Sequence, residues 1–378
     1  MRFPEFKGEW KLNILDSVCT FHNGRAYKQH ELLSAGKYRV LRVGNFFTND
    51  SWYYSDLELE EDKTASDGEL LYAWSASFGP RFWKGEKVIY HYHIWKIDSF
   101  QEVCKEFLFY FLEKDAASIK NEVQGGTMAH ITKADMERRN ITYPTICEQS
   151  KIARLLFLLD HRIATQNKII EKYESLIKGI NEKLLINKKE YTTYRLSDIC
   201  EIRSGYSGTQ LTGTQGLMVS RIETISKHCI NLDKVGYVKP FDSSADFKLH
   251  IGDILFSNIN SVQYIGNTAF VDREYDLYHG MNLLRLIPRK IVEPFYVFLL
   301  LNTAKYKIHF QSICNKAISQ ASINQTELGK TVIHIPDLLY QKQICQLYNS
   351  LYNKKNIENL YLQALKQQKN HLLRQMVI

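Results

Sequence analysis

The sequence predicts a mixed α/β protein written twice: two similar α/β blocks separated by two long helices that pair as a coiled coil. Three observations predict it. A strict seven-residue repeat fills residues 149–185. A looser copy lies 192 residues further on. The landmarks ahead of each copy recur in the same order.

The first repeat runs through Ile152, Leu156, Leu159, Ile163, Gln166, Ile170, Tyr173, Ile177, Ile180 and Leu184, with gaps of four and three throughout. Only Gln166 is polar. A period of 3.5 keeps one narrow seam facing a partner helix. No proline interrupts it, and some 35 residues make a rod of roughly 50 Å. The C-terminal stretch supplies the partner: Ile344, Tyr348, Leu351, Lys355, Glu358, Leu362, Leu365, Lys369, Leu372 and Met376. Lys355, Glu358 and Lys369 break this seam, and such breaks either fray a rod or set its register.

The blocks repeat as well. Leu15–Gly24 lies over Leu196–Gly205, Val40–Val43 over Val219–Ile222, and Gly68–Tyr72 over Gly252–Phe256. Tyr90-His91 lies over Tyr278-His279, and Ile94–Ile97 over Leu283–Leu286. Pro144 and Gln149 match Pro336 and Gln341. The offset drifts from 181 to 192 as loops lengthen.

Within each block the signals are mostly strand-like. Residues 38–43 and 216–222 read as strands. Residues 68–72 and 252–256 read as a turn, with its acidic residue, entering a buried strand. Residues 87–97 and 282–287 read as further strands. Helices are expected over 101–114 and 294–307, where Pro294 suits a first turn. Small helices follow at 132–138, with Thr132 as N-cap, and at 324–328.

The chain has 378 residues, a net charge of +8, 44% hydrophobic residues and 24% charged ones. That length suffices for two or three domains, and the composition excludes bulk disorder. The basic balance is compatible with nucleic acid. Seven scattered cysteines without a CxxC pair argue against a zinc site or a disulfide framework. The polar, charged opening carries no signal peptide, and the longest apolar runs, 107–112 and 295–301, are too short to span a membrane. A cytoplasmic protein is expected, with no membrane association.

Motifs for autonomous chemistry are missing. No Gly-x-x-x-x-Gly-Lys-Ser/Thr loop, Gly-x-Gly-x-x-Gly turn, His-Glu-x-x-His pair or Gly-x-Ser-x-Gly elbow occurs. Asp56 with Glu61 and Lys63 is a weak magnesium-site pattern without a counterpart in the second block, and reads better as a surface loop. His91, His93 and His130 have no paired carboxylate and read as satisfied polar residues. No metal site or catalytic residue is expected.

Two similar blocks with different loops suit a ligand with two separated sites, and DNA is the obvious one for a basic chain. Candidate DNA-binding residues are Arg25, Lys28, Arg42, Ser77, Arg81 and Lys84 in the first block. In the second they are Arg203, Tyr206, Thr209, Arg221, Asn258, Asn260 and Gln263. These types bond base edges or phosphates.

The chain resembles the specificity (S) subunits of Type I restriction–modification systems. The resemblance rests on the opening 3–10, on Gly252–Ser257, on Gly125–Ile131 leading to Pro144, Gln149 and Ile152, and on Ile323, Pro336, Gln341 and Ile344. It implies two target recognition domains, 1–148 and 188–340, each reading one half of a bipartite, asymmetric site on double-stranded DNA. It implies that the conserved helices, 149–187 and 341–378, pack antiparallel, set the gap and dock two modification (M) subunits. Restriction (R) subunits join that core. S-adenosylmethionine belongs to M, ATP and Mg2+ to R, and this chain binds no cofactor. The subunit interface and coiled coil would use Ile152, Leu156, Leu159, Ile163, Ile170, Tyr173, Ile177, Ile344, Leu351, Leu362, Leu365 and Leu372. The competing reading is a stand-alone DNA nuclease or methyltransferase.

Overall fold

The structure, a computed structural model, describes residues 2–47, 49–75, 78–122, 131–186, 191–226, 228–316 and 320–377. The chain forms two compact units: Met1–Lys168 with Leu360–Ile378, and Ile169–Asn359. Each unit takes an α/β block and one part of each long helix.

In the first unit a four-stranded antiparallel sheet has the order Thr20–Asn23, Ile94–Asp98, Leu70–Ala73, Gly79–Phe82. Alternation along Leu70–Ala73 sends Leu70 and Tyr72 to one face and Leu71 and Ala73 to the other. Both faces are buried, which explains a continuous apolar run. One face joins Phe21, Trp95 and the helix Lys105–Glu122. The other joins Leu41, Phe46 and Tyr90. A second sheet, Tyr53–Ser55, Tyr38–Leu41, Val88–Tyr90, Thr64–Ala65, contains a parallel pair between its middle strands.

The second unit repeats the central sheet as Cys200–Ser204, Leu284–Pro288, Ile254–Phe256, Thr268–Phe270. The register repeats too. Phe21 faces Ile97 and Leu70 faces Ile97; Ile202 faces Leu286 and Ile254 faces Leu286. At the block ends, Lys11 pairs with Tyr143 as Thr192 pairs with Ile335. Those pairs differ by 192 − 11 = 181 and 335 − 143 = 192, the drift seen in the sequence.

Several expected elements differ, among them the strand expected over 38–43, which ends at Leu41 before the helical turn Val43–Phe47, and the helix expected over 101–114, which runs Lys105–Glu122. The strand expected over 216–222 ends at Val219, and Ile222–Thr224 forms a single tight turn. The Thr224 hydroxyl accepts from the Arg221 amide at 2.8 Å and draws the backbone out of the strand. The helix expected over 294–307 breaks into Pro294–Leu301 and Ala304–Ile313. Asn302 donates to the Phe298 carbonyl and Thr303 to the Leu300 carbonyl, replacing the helical continuation.

The long helices are Ile146–Ile186 and Leu338–Met376. In the first unit Asp160 meets Lys369 and Arg162 meets Tyr361. In the second, Glu174 meets Lys355, and Ile177 shares a core with Ile344, Tyr348 and Leu351. Partners fall in number as the first helix rises, so the pairing is antiparallel in both units. All seam positions named above are buried or half-buried, except that the Leu184 side chain lies outside the described residues. The polar interruptions Lys355 and Lys369 carry ion pairs, at 3.1 Å to Glu174 and 2.7 Å to Asp160. Each helix starts with a buried glutamine. Gln149 donates to the carbonyls of Pro144 and Glu102 and accepts from Cys104; Gln341 donates to Pro336 and accepts from Glu293. Buried backbone groups need such partners.

Candidate nucleic-acid interface

The same loop crossing organises both blocks. The chain leaving Thr20–Asn23 passes Tyr90-His91, and the Arg25 amide donates to the Tyr90 carbonyl at 3.1 Å. The chain leaving Cys200–Ser204 passes His279-Gly280, and the Tyr206 amide donates to the His279 carbonyl at 2.9 Å. A Cβ at Gly24 would sit 2.3 Å from the His91 carbonyl oxygen, and one at Gly205 only 1.8 Å from that of Gly280. Only glycine permits these approaches. They set residues 25–28 and 206–209 beside a histidine in each block.

In the first block a cavity of about 310 Å³ opens there, lined by Tyr27, Leu32, Arg42, His91 and His93. Arg42 lies 4.7 Å from the Tyr53 ring centroid, a cation–π arrangement. Arg25 pairs with Glu31 at 2.7 Å. Arg81 packs on Phe47, at 4.9 Å, in the turn Val43–Phe47 that follows Arg42. The structure thus brings Arg42 and Arg81 to one helical turn. Lys28 and Lys84 are exposed. Ser77 lies outside the described residues, as does His130.

In the second block a cavity of about 540 Å³ also reaches the matching histidine, but its other walls are not counterparts of the first: Arg203, Ser204, Ser243, Asp246, Phe247 and Gln325 beside His279. Tyr206 stacks flat on Phe241 at 3.8 Å. Arg203 is exposed and bonds Glu201 at 2.6 Å. Thr209 and Gln263 are exposed. Arg221 is exposed too, 3.6 Å from Glu223, and does not line the cavity. Asn258 and Asn260 are half-buried, and their amides are engaged locally. Asn258 donates to the Ile323 carbonyl at 3.3 Å; Asn260 donates to Ser257 and accepts from the Ser261 amide.

Sequence reasoning missed Tyr27, His91 and His93 in one block and Asp246, Phe247, His279 and Gln325 in the other. The match of His91 to His279 was the available signal. The His279 Nε2 donates to the Leu283 carbonyl at 2.9 Å. Burial lowers both imidazoles from 6.5 to about 4. Unfolded chain takes up protons below about 6.5 that the folded chain refuses until about 4, so acid favours unfolding. His279 is 1% exposed; it is expected to cost about 3 kcal/mol of stability across that window. Urea unfolding at pH 7 and pH 4.5 checks this, because His279→Asn should lose that share of the pH dependence.

Among the described residues no group of three or more His, Cys, Asp or Glu side chains could hold a metal ion. Asp56 accepts from the Lys37 amide, Glu61 pairs with Lys87, and Lys63 pairs with Asp62. No described helix is long and apolar enough to cross a membrane.

Two copies of one α/β block, each presenting cationic and hydrogen-bonding loops beside paired helices, define a two-site binding protein. The chain belongs to the Type I restriction modification DNA specificity domain family, whose model matches residues 7–175 and again 188–367. That model describes a DNA specificity domain, and the chain carries it twice. The chain is 38% identical over 193 residues to the putative type I restriction enzyme MjaX specificity subunit of Methanocaldococcus jannaschii, a match covering 50% of this chain but only 45% of that relative. The MjaVIII specificity subunit of the same organism is 23% identical over 335 residues, 82% of this chain and 78% of the relative. The EcoKI specificity subunit of Escherichia coli is 19% identical over 386 residues, 91% and 82% of the two chains. The crystal structure of the Type I S subunit from M. genitalium shares the fold at TM-score 0.61 and 16% identity, covering 100% of this chain and 99% of that one. A chain from a study of type I R-M complex assembly and conformational transition gives 0.63 at 15% identity, covering 98% of each chain. None of these supports a stand-alone nuclease or methyltransferase.

Proposed function

We propose that this chain is the address-reading subunit of a cytoplasmic Type I restriction–modification enzyme, with residues 1–148 and 188–340 each reading one half of a bipartite, asymmetric DNA site. The observation that carries the reading is the repeated loop crossing beside His91 and His279, in two sheets of identical order and register, with a cavity against each histidine and different walls. The first offers a guanidinium, histidines and aromatic rings; the second adds a carboxylate and an amide. Arginine suits guanine O6 and N7, glutamine suits adenine N6 and N7, and a carboxylate accepts from cytosine N4. Unlike walls therefore select unlike half-sites. Arg42, Arg81, Lys84, Arg221 and Gln263 are exposed or half-exposed and supply further phosphate or base contacts. The helices 149–187 and 341–378 set the gap between half-sites and dock two M subunits, which carry S-adenosylmethionine; R subunits, with ATP and Mg2+, complete the enzyme.

The test is an exchange of residues 197–335 for the corresponding block of another family member, followed by mapping of methylated adenines made by the M–S complex. One half-site is expected to change and the other to stay. A change in both halves, or in neither, contradicts the modular reading.

A further inference from the structure

The second block holds a charge pair that binding does not explain. Arg285 lies on the second strand of the central sheet and Asp253 in the turn before the third. Their side chains are each 4% exposed and meet at 2.7 Å. Asp253 also accepts from the His250 amide at 2.7 Å. The other arm of the guanidinium, Nη1, donates to the backbone carbonyl of Asp246 at 3.3 Å. Asp246 belongs to the short helix Ser244–Phe247, one wall of the cavity that also presents Arg203 and Gln325.

The first block repeats the device with other residues. Glu69 pairs with Lys96 at 2.7 Å, and the Lys96 ammonium donates to the carbonyls of Glu61 and Thr64. Among the described residues each central sheet thus buries one cation, tied to a turn carboxylate on one side and to the backbone of a loop on the other. Buried ion pairs are weak stabilisers, and apolar pairs of similar volume often serve stability as well or better. What a buried guanidinium adds is direction, because its planar fork fixes the atoms that it bonds.

We propose that Arg285, oriented by Asp253, is a positioning residue for the second block's recognition surface: it fixes the 244–247 wall, and so the bases that this half-site accepts. The inference rests on the reading that the second block contacts DNA.

The experiment uses the full chain in complex with its M subunits and maps methylated adenines genome-wide. The double variant Asp253→Leu/Arg285→Met removes both charges together. Arg285→Lys is the milder variant: it keeps the ion pair and loses the fork. Both are expected to assemble with M, and Arg285→Lys to unfold at close to the wild-type temperature. In both, discrimination at the half-site assigned to the second block by the 197–335 exchange should relax by on the order of tenfold, about the worth of one base contact. The first half-site should keep wild-type discrimination. If the second half-site is read as sharply as before in Arg285→Lys, the wall is held by something else and the proposal falls. Equal relaxation of both half-sites, or loss of assembly in Arg285→Lys, makes the pair a general structural support and also overturns it. If the wild-type complex shows no split-site preference at all, the DNA-reading proposal itself fails, and that outcome is visible before any variant is made.

Discussion

Removing residues 360–378 is expected to unfold the first unit while the second keeps its fold. The reason lies in the core. Leu373, Met376 and Val377 are buried in the cluster that holds Phe107, Leu112 and Leu156. Leu362 and Leu365 are buried as well. Lys114 donates to the Val377 carbonyl at 2.6 Å and fastens the end. Burying one such side chain contributes about 1.5–3 kcal/mol, so five contribute roughly 8–15 kcal/mol. Whole domains are stable by only about 5–15 kcal/mol. The deletion therefore removes about as much as the unit has. Hydrogen exchange reports it directly: protection should vanish in the helix Lys105–Glu122 and persist in Pro294–Leu301. Persistent protection in the former would mean that the C-terminal helix end is a passenger on a block that folds without it. Leu373→Ala is the graded version, expected to cost about 2–5 kcal/mol.

That core membership is only half legible in the sequence. The seam is legible at every described position. A 3.5-residue period fixes which side chains face a partner, and even Gln166 and Lys369 obeyed it. The repeat was equally readable, because insertions fall in loops and leave strand registers intact. The cavities were not. Asp246 and Gln325 lie 246 − 203 = 43 and 325 − 203 = 122 residues from Arg203, and only the fold brings them together. The local bonds of Asn258 and Asn260 were not legible either. A loop asparagine looks like a free hydrogen-bonding arm, yet its short amide readily bonds nearby backbone. The acidic turn residues at 69 and 253 were visible, whereas their partners Lys96 and Arg285 sit inside apolar strands. Only the observed distances pair them.

The two lysines that interrupt the second seam look alike in sequence and are expected to behave very differently. Lys369 is 11% exposed, between Asp160 at 2.7 Å and Glu113 at 2.8 Å. Tyr110 donates to the other Asp160 oxygen at 2.9 Å, and its ring lies 5.5 Å from the ammonium. Burial alone would lower the Lys369 pKa, but Glu113 and Asp160 outweigh it and hold the group above its ordinary 10.5. Its stabilisation is therefore present throughout neutral pH and fades only as pH climbs past that value. Lys369→Ala leaves two partly buried carboxylates facing each other without their cation. Breaking a fully buried pair costs about 3–5 kcal/mol. With the carboxylates 36% exposed, the lower end of that range, about 3 kcal/mol, applies. Among the described residues Lys355 pairs with Glu174 alone, which is 56% exposed. Water screens that pair, and Lys355→Ala should cost about 0–1 kcal/mol. Urea unfolding of the two variants separates them: a large fall in midpoint for the first and a small one for the second. Equal falls would mean that the seam treats both interruptions as mere gaps in an apolar stripe. The contrast as stated means that Lys369 ties the C-terminal helix to its partner helix through Asp160 and to the helix Lys105–Glu122 through Glu113.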